Sequence, residues 1–183
     1  MLIEQKQAVL LVIDVQEKLL PAIHEADRLH RRLAWLLGAS RDLGLPVVFS
    51  EQYPRGLGHT MASLRSLAPD APVVEKVHFS CVAAGCLPKS AMTRQQFVLC
   101  GMESHVCVLQ TALDLLSLGK AVFVVADAIG SRHALDHQLA LERLRTAGAH
   151  IVTREMVLFE LLRQAGTERF KAASKAWLQG DQP

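Results

Sequence analysis

An α/β fold, built as a three-layer α/β/α sandwich on a mostly parallel central sheet (Rossmann-like in arrangement), is predicted by three observations. Short runs of β-branched and aliphatic residues alternate with longer stretches of helical periodicity from end to end. The first run, Ala8-Val9-Leu10-Leu11-Val12-Ile13, is apolar without alternation, as in a strand buried on both faces of a parallel sheet. No internal repeat, low-complexity linker or break in composition divides the sequence, so 1–183 reads as a single domain with room for a substantial core.

Each element follows from local signals. Ile23 to Leu43 has helical spacing, its apolar side carried by Ile23, Leu29, Leu33, Leu36 and Leu37. Gly44 stops that helix, and Pro46 opens the strand Val47-Val48-Phe49. A loop punctuated by glycine and proline runs from Glu51 to Pro72 and holds a short helical piece near Met61 to Leu67. Val73-Val74-Glu75-Lys76 is a short strand, followed by an irregular segment to Lys89. Gln96 to Gly101 is the next strand, and Ser104 to Leu118 a helix broken by Gly119. Ala121 to Asp127 is a strand, Ala134 to Ala147 a helix capped by Gly148, and His150 to Thr153 the last strand. Met156 to Gln164 and Thr167 to Trp177 form two C-terminal helical pieces.

Composition narrows the function classes. Half the residues are hydrophobic and 21% charged, the balance of a soluble globular protein. The formal charge is only +2 and its basic residues are scattered, which argues against nucleic acid or an anionic membrane surface as partner. The densest basic run, Arg28 to Arg32, reads as the solvated face of a helix. The polar start does not read as a signal peptide, and no apolar stretch is long enough to span a bilayer, so neither is expected. Cys81, Cys86, Cys100 and Cys107 match neither a zinc ribbon nor a CxxC pair. Free thiols in a cytoplasmic protein are therefore expected.

Ligands of open α/β sheets bind beyond the carboxyl ends of the strands. Three reactive side chains fall there: Asp14, Lys76 and Cys107. The segment Gly101-Met102-Glu103-Ser104-His105-Val106-Cys107 carries a strand into a helix with the cysteine in its first turn. Free N–H groups and the helix dipole favour a thiolate at that position. Asp14 suits a general base, and Lys76 would lower the thiol pKa and orient the carboxylate. Taken singly, Asp14 is more often a strand-end cap, Lys76 more often a solvated edge charge and Cys107 more often a core thiol.

Together these residues resemble the isochorismatase-like cysteine hydrolases, the superfamily that includes nicotinamidases and N-carbamoylsarcosine amidohydrolase. The resemblance runs from Leu11-Val12-Ile13-Asp14-Val15-Gln16, through Glu75-Lys76 and the Gly101 to Cys107 elbow, to Asp127-Ala128, and on from Arg132 to Thr153. It implies Asp14 as acid/base, Lys76 as the accompanying cation and Cys107 as nucleophile. It further implies a cis Met102-Glu103 peptide and an oxyanion hole formed by the backbone N–H groups of Glu103 and Cys107. The implied reaction is hydrolysis of a small-molecule amide through a thioester, in a homo-oligomer (dimer or higher) without a cofactor.

The departures from the family pattern are also informative. Nicotinamidases carry an Asp-x-His…His metal site after the second strand, whereas here Glu51 and His59 are the only conceivable ligands in Ser50 to Thr60. No metal is expected, and nicotinamidase activity is disfavoured. Isochorismatases that cleave a vinyl ether lack the cysteine. The Glu51 to Thr60 loop and the Ser104 to Ala112 stretch instead resemble the isochorismatase domain-containing subgroup. Gln16, Tyr53, Phe79 and His105 are the candidate substrate contacts. Cys81 and Cys86 read as packing or surface thiols, and Cys100 as buried and inert. Two other readings stand beside the hydrolase: an idle binding protein on the same fold, and a redox sensor at Cys107, for which no resolving thiol is evident.

Overall fold

The structure is a computed structural model that describes residues 1–179; residues 180–183 of the expected domain lie outside the described residues. Six strands form one sheet: β1 (Ala8–Ile13), β2 (Val47–Gln52), β3 (Val73–Lys76), β4 (Gln96–Met102), β5 (Ala121–Gly130) and β6 (His150–Val152). Their order is β3-β2-β1-β4-β5-β6, and every neighbouring pair is parallel. The chain starts at the centre, winds outward to β3, then crosses back beside β1 and winds the other way. The direction of winding reverses between β1 and β4, which opens a crevice at their carboxyl ends.

Continuous apolar runs make β1 and β4 central, for every residue in them is buried. Side-chain alternation sends Leu10, Val12, Val98 and Cys100 to one face and Val9, Leu11, Phe97 and Leu99 to the other. On the first face the sheet packs against α1 (Ala26–Asp42), α7 (Arg154–Leu162) and α8 (Glu168–Trp177), through Leu29, Leu33, Leu36, Leu37, Leu158 and Leu161. On the second it packs against α5 (Leu109–Ser117) and α6 (Ala134–Thr146), through Leu109, Ala112, Leu115 and Leu144. Each fully buried leucine contributes about 1.5–3 kcal/mol, so the two layers supply the main stabilisation. No helix among the described residues is long and apolar enough to cross a membrane.

Several boundaries differ from expectation, each for a local reason. The first helix starts at Ala26 rather than Ile23, because Ile23 is extended and Glu25 has φ of 55°. A separate 3-10 turn, Leu20–Ala22, precedes it. Single-turn helices α2 (Pro54–Leu57) and α4 (Lys89–Met92) are too short to show periodicity, whereas α3 (Ala62–Arg65) lies where the short helical piece near Met61 to Leu67 is expected. β2 continues past Phe49 to Gln52, held on one side by β1 and on the other by β3. β5 extends to Gly130 because its end pairs with Met102, after a register shift between Leu99 and Gly101.

Gly101 marks the closest approach of the two central strands. It lies opposite Ile13 with φ of 113°, and a Cβ there would overlap the Ile13 carbonyl oxygen. Only glycine fits this backbone.

Candidate active site

Asp14 follows β1 directly at the crevice, with φ of 54° and its N–H donating to the Ser50 carbonyl at 3.0 Å. Its carboxylate is gripped from both sides. Oδ1 accepts from Ser50 Oγ at 2.7 Å and Oδ2 from Lys76 Nζ at 2.7 Å. Lys76 ends the edge strand β3, so its long stem crosses under β2 to reach Asp14. On the way its ammonium also donates to Gln52 Oε1 at 2.7 Å. Burial pulls the Lys76 ammonium toward neutrality, yet the Asp14 carboxylate more than offsets this and leaves its pKa above the ordinary 10.5. The pair is charged and dry.

Cys107 reaches the same place from β4. The Met102–Glu103 peptide is cis, and Ser104–Val108 is wound as a π-helical turn before α5 begins. In that turn the Glu103 carbonyl accepts from the N–H groups of Val106 and Val108, both at 3.1 Å. The Cys107 thiol is buried within the field of both the Asp14 carboxylate and the Lys76 ammonium. The fold therefore brings Asp14, Lys76 and Cys107 together at the switch between β1 and β4.

Lys76 lowers the Cys107 pKa as expected, but the balance of the surroundings does not favour a thiolate. Burial pushes the thiol up to about 12, and the Asp14 charge adds to that rise. Lys76 and the Glu103 N–H act in the opposite direction but are outweighed. The ammonium is already neutralised by a carboxylate in contact with it, so little of its field is left for the sulfur.

The other candidates scatter. Gln16 is buried, with Nε2 donating to the carbonyls of Gln52 (2.9 Å) and Gly58 (2.6 Å) while Oε1 accepts from Gln52 N–H (2.7 Å). It staples two loops, and its amide is fully used. Tyr53 is exposed and lines a depression of about 530 Å³ with Lys76, Val77, His78 and Ala84. Phe79 is half exposed nearby in sequence but does not line that depression. His105 points to the β5 side, its Nδ1 3.0 Å from Ser131 Oγ and its Nε2 3.9 Å from Asp136.

Glu51 and His59 make an ion pair at 3.0 Å. Burial works to raise the Glu51 carboxyl, but the Thr60 N–H (2.7 Å), His59 and the Thr60 hydroxyl (2.8 Å) hold it below its ordinary value. Both oxygens are thus engaged within the protein. Among the described residues no group of three or more His, Cys, Asp or Glu is arranged to hold a metal ion.

Three participants escaped the sequence reading. Ser50 and Gln52, two residues apart, present the same face of β2 to the Asp14–Lys76 pair. Ending that strand at Phe49 hid them, and the polar alternation Ser50, Gln52 was the available signal. Arg132 is the third, clamping the Glu103 carboxylate through Nε at 2.6 Å and Nη2 at 3.3 Å. Nothing local announces a contact across 29 residues.

Comparison with known proteins follows this geometry. Residues 8–156 match the family model for the isochorismatase domain. Isochorismatase domain-containing protein 2 of Danio rerio is 40% identical over 174 residues, covering 93% of this chain and 86% of its own. The structure of MAR1 ribonuclease from Caenorhabditis elegans superimposes with a TM-score of 0.91 at 35% identity, covering 100% of this chain and 95% of that one. YcaC from Pseudomonas aeruginosa, solved with hexane-2,5-diol and covalent acrylamide, gives 0.85 at 25% identity over 97% and 92% of the two chains.

Proposed function

The chain belongs to the isochorismatase family and has its hydrolase fold, and from that premise we propose that it hydrolyses a small-molecule amide-type C–N bond through a thioester on Cys107. One observation carries this reading: Cys107 is buried within electrostatic reach of a carboxylate that Lys76 and Ser50 hold in place.

Because the resting sulfur is a thiol, deprotonation must accompany attack. Asp14 accepts the S–H proton as Sγ bonds to the substrate carbonyl carbon. The carbonyl oxygen becomes an oxyanion, for which the backbone N–H groups of Glu103 and Cys107 are the proposed donors. Asp14 then passes the proton to the departing nitrogen, and the C–N bond breaks to leave the thioester. A water loses its proton to Asp14, attacks the thioester carbonyl and releases the acid, and the proton returns to sulfur. Lys76 keeps Asp14 oriented throughout.

The near-balance of charge supports a small-molecule substrate over RNA. Tyr53 and the depression beside Lys76 are the proposed entry, and self-association is part of the same reading, supported by Leu135 and Leu139 exposed one turn apart on α6. The test is a panel of primary amides and carbamoyl compounds, read by ammonia release and by intact mass. Turnover with an acyl adduct on Cys107 is expected, and both should vanish in Cys107→Ala. Full turnover by that variant would sink the proposal.

A further inference from the structure

The segment between β3 and α4 holds a second pair of sulfurs. It coils back on itself through Ala84 N–H to the Ser80 carbonyl (3.1 Å), Gly85 N–H to Val82 (2.9 Å) and Cys86 N–H to Cys81 (3.3 Å). Ser80 Oγ caps the turn by accepting from Val82 and Ala83, and Gly85 with φ of 61° reverses the chain. The result sets Cys86 Sγ 3.4 Å from the Cys81 carbonyl and brings the two thiols near enough to shift each other's pKa. Cys81 is fully buried, its N–H donating to Thr111 Oγ1 at 3.1 Å on α5, while Cys86 is partly exposed. Sequence spacing matched no thiol motif; the turn creates the pair.

We propose that Cys81 and Cys86 are a dithiol modification site that closes to an intramolecular disulfide by exchange with low-molecular-weight disulfides, with Cys86 the attacking sulfur. The electrostatics favour that order. The Cys81 thiol first, and the Lys76 ammonium after it, hold Cys86 down to about 7 against its own burial and the Asp14 charge. Cys81 is raised by the Cys86 thiol and by burial. At neutral pH the accessible thiolate is Cys86, whereas Cys107 remains a thiol.

The chemistry balances within the pair and its oxidant. Cys86 thiolate attacks one sulfur of the small disulfide, forming a mixed disulfide and expelling a thiolate that takes up a proton. Cys81 then gives up its proton and attacks the Cys86 sulfur, expelling the second small thiol. Two protein thiols and one small disulfide become one protein disulfide and two small thiols.

The site is tested on the full chain with oxidised glutathione at neutral pH, followed by blocking with N-ethylmaleimide and trypsin digestion without reduction. Cleavage after Lys76 and Lys89 puts both cysteines on one peptide, 77–89. That peptide should become lighter by two hydrogens and escape the blocking reagent, at a rate that rises through about pH 7. In Cys81→Ser a glutathione adduct should persist on Cys86, and in Cys86→Ser the peptide should stay reduced. An unchanged 77–89 peptide, an adduct on Cys86 that persists in the unsubstituted chain, or oxidation confined to Cys107 would each overturn the proposal.

Discussion

Lys76 Nζ stands 2.7 Å from Asp14 Oδ2 with both side chains wholly buried, an ion pair that reaches from the edge of the sheet to its centre. Removing one partner of such a pair leaves an uncompensated charge in a dry interior. Asp14→Asn is therefore expected to destabilise the fold by about 3–5 kcal/mol in urea denaturation. The double variant Asp14→Asn/Lys76→Met should recover part of that loss, because no buried charge remains. Equal stability of the single variant and the unsubstituted chain would contradict the pair's burial.

The same pair sets an alkaline limit. The folded pKa of Lys76 lies above its ordinary 10.5, so its contribution is fully present below that value and is lost as pH rises through the folded value. Denaturant midpoints measured up the alkaline range should show a loss above about pH 10.5 that is missing from Lys76→Met.

Thiol reactivity without substrate should invert the order expected of a nucleophile. With its pKa pushed up to about 12, Cys107 is ionised in only about one molecule in 10⁵ at pH 7, against about half for a group near 7 such as Cys86. Iodoacetamide is expected to label Cys86 well before Cys107 at neutral pH, as peptide mapping would read. Cys107 labelling should keep rising with pH long after that of Cys86 has levelled off. Faster labelling of Cys107 at pH 7 would mean that its thiolate is stabilised by something other than Lys76.

Gly101 tests the crevice itself. Gly101→Ala places a methyl into the Ile13 carbonyl at φ of 113°, so the central strands must separate. A loss of more than ~1 kcal/mol in thermal or urea unfolding is expected, beyond what the entropy of replacing glycine returns. Activity should fall with it, since β1 and β4 carry Asp14 and the approach to Cys107. Unchanged stability would show that the strands can part there without cost.

Much of the architecture was legible because it is written in local patterns. The apolar run Ala8 to Ile13 announced a doubly buried strand, and it lies at the centre of the sheet. The glycine stops at Gly44, Gly119 and Gly148 marked helix ends that the structure keeps within a residue or two. Strand-end position likewise singled out Asp14, Lys76 and Cys107. What was missed depends on contacts distant in sequence. Gln16 looked like a pocket residue until two loops folded over it and consumed its amide. Arg132 had no visible task until β5 brought it to Glu103.

The sequence by itself determined the alternation of strands and helices, the reactive residues at the strand ends and the absence of the paired histidines after the second strand. Those properties are local, because periodicity, capping and spacing act within a few residues. Tertiary structure alone decided that Lys76 spends its charge on Asp14, that burial leaves Cys107 a thiol, and that Cys86 holds the more acidic sulfur. Charge state depends on desolvation and on which opposite charge lies within a few ångströms, and neither exists until the chain has closed on itself.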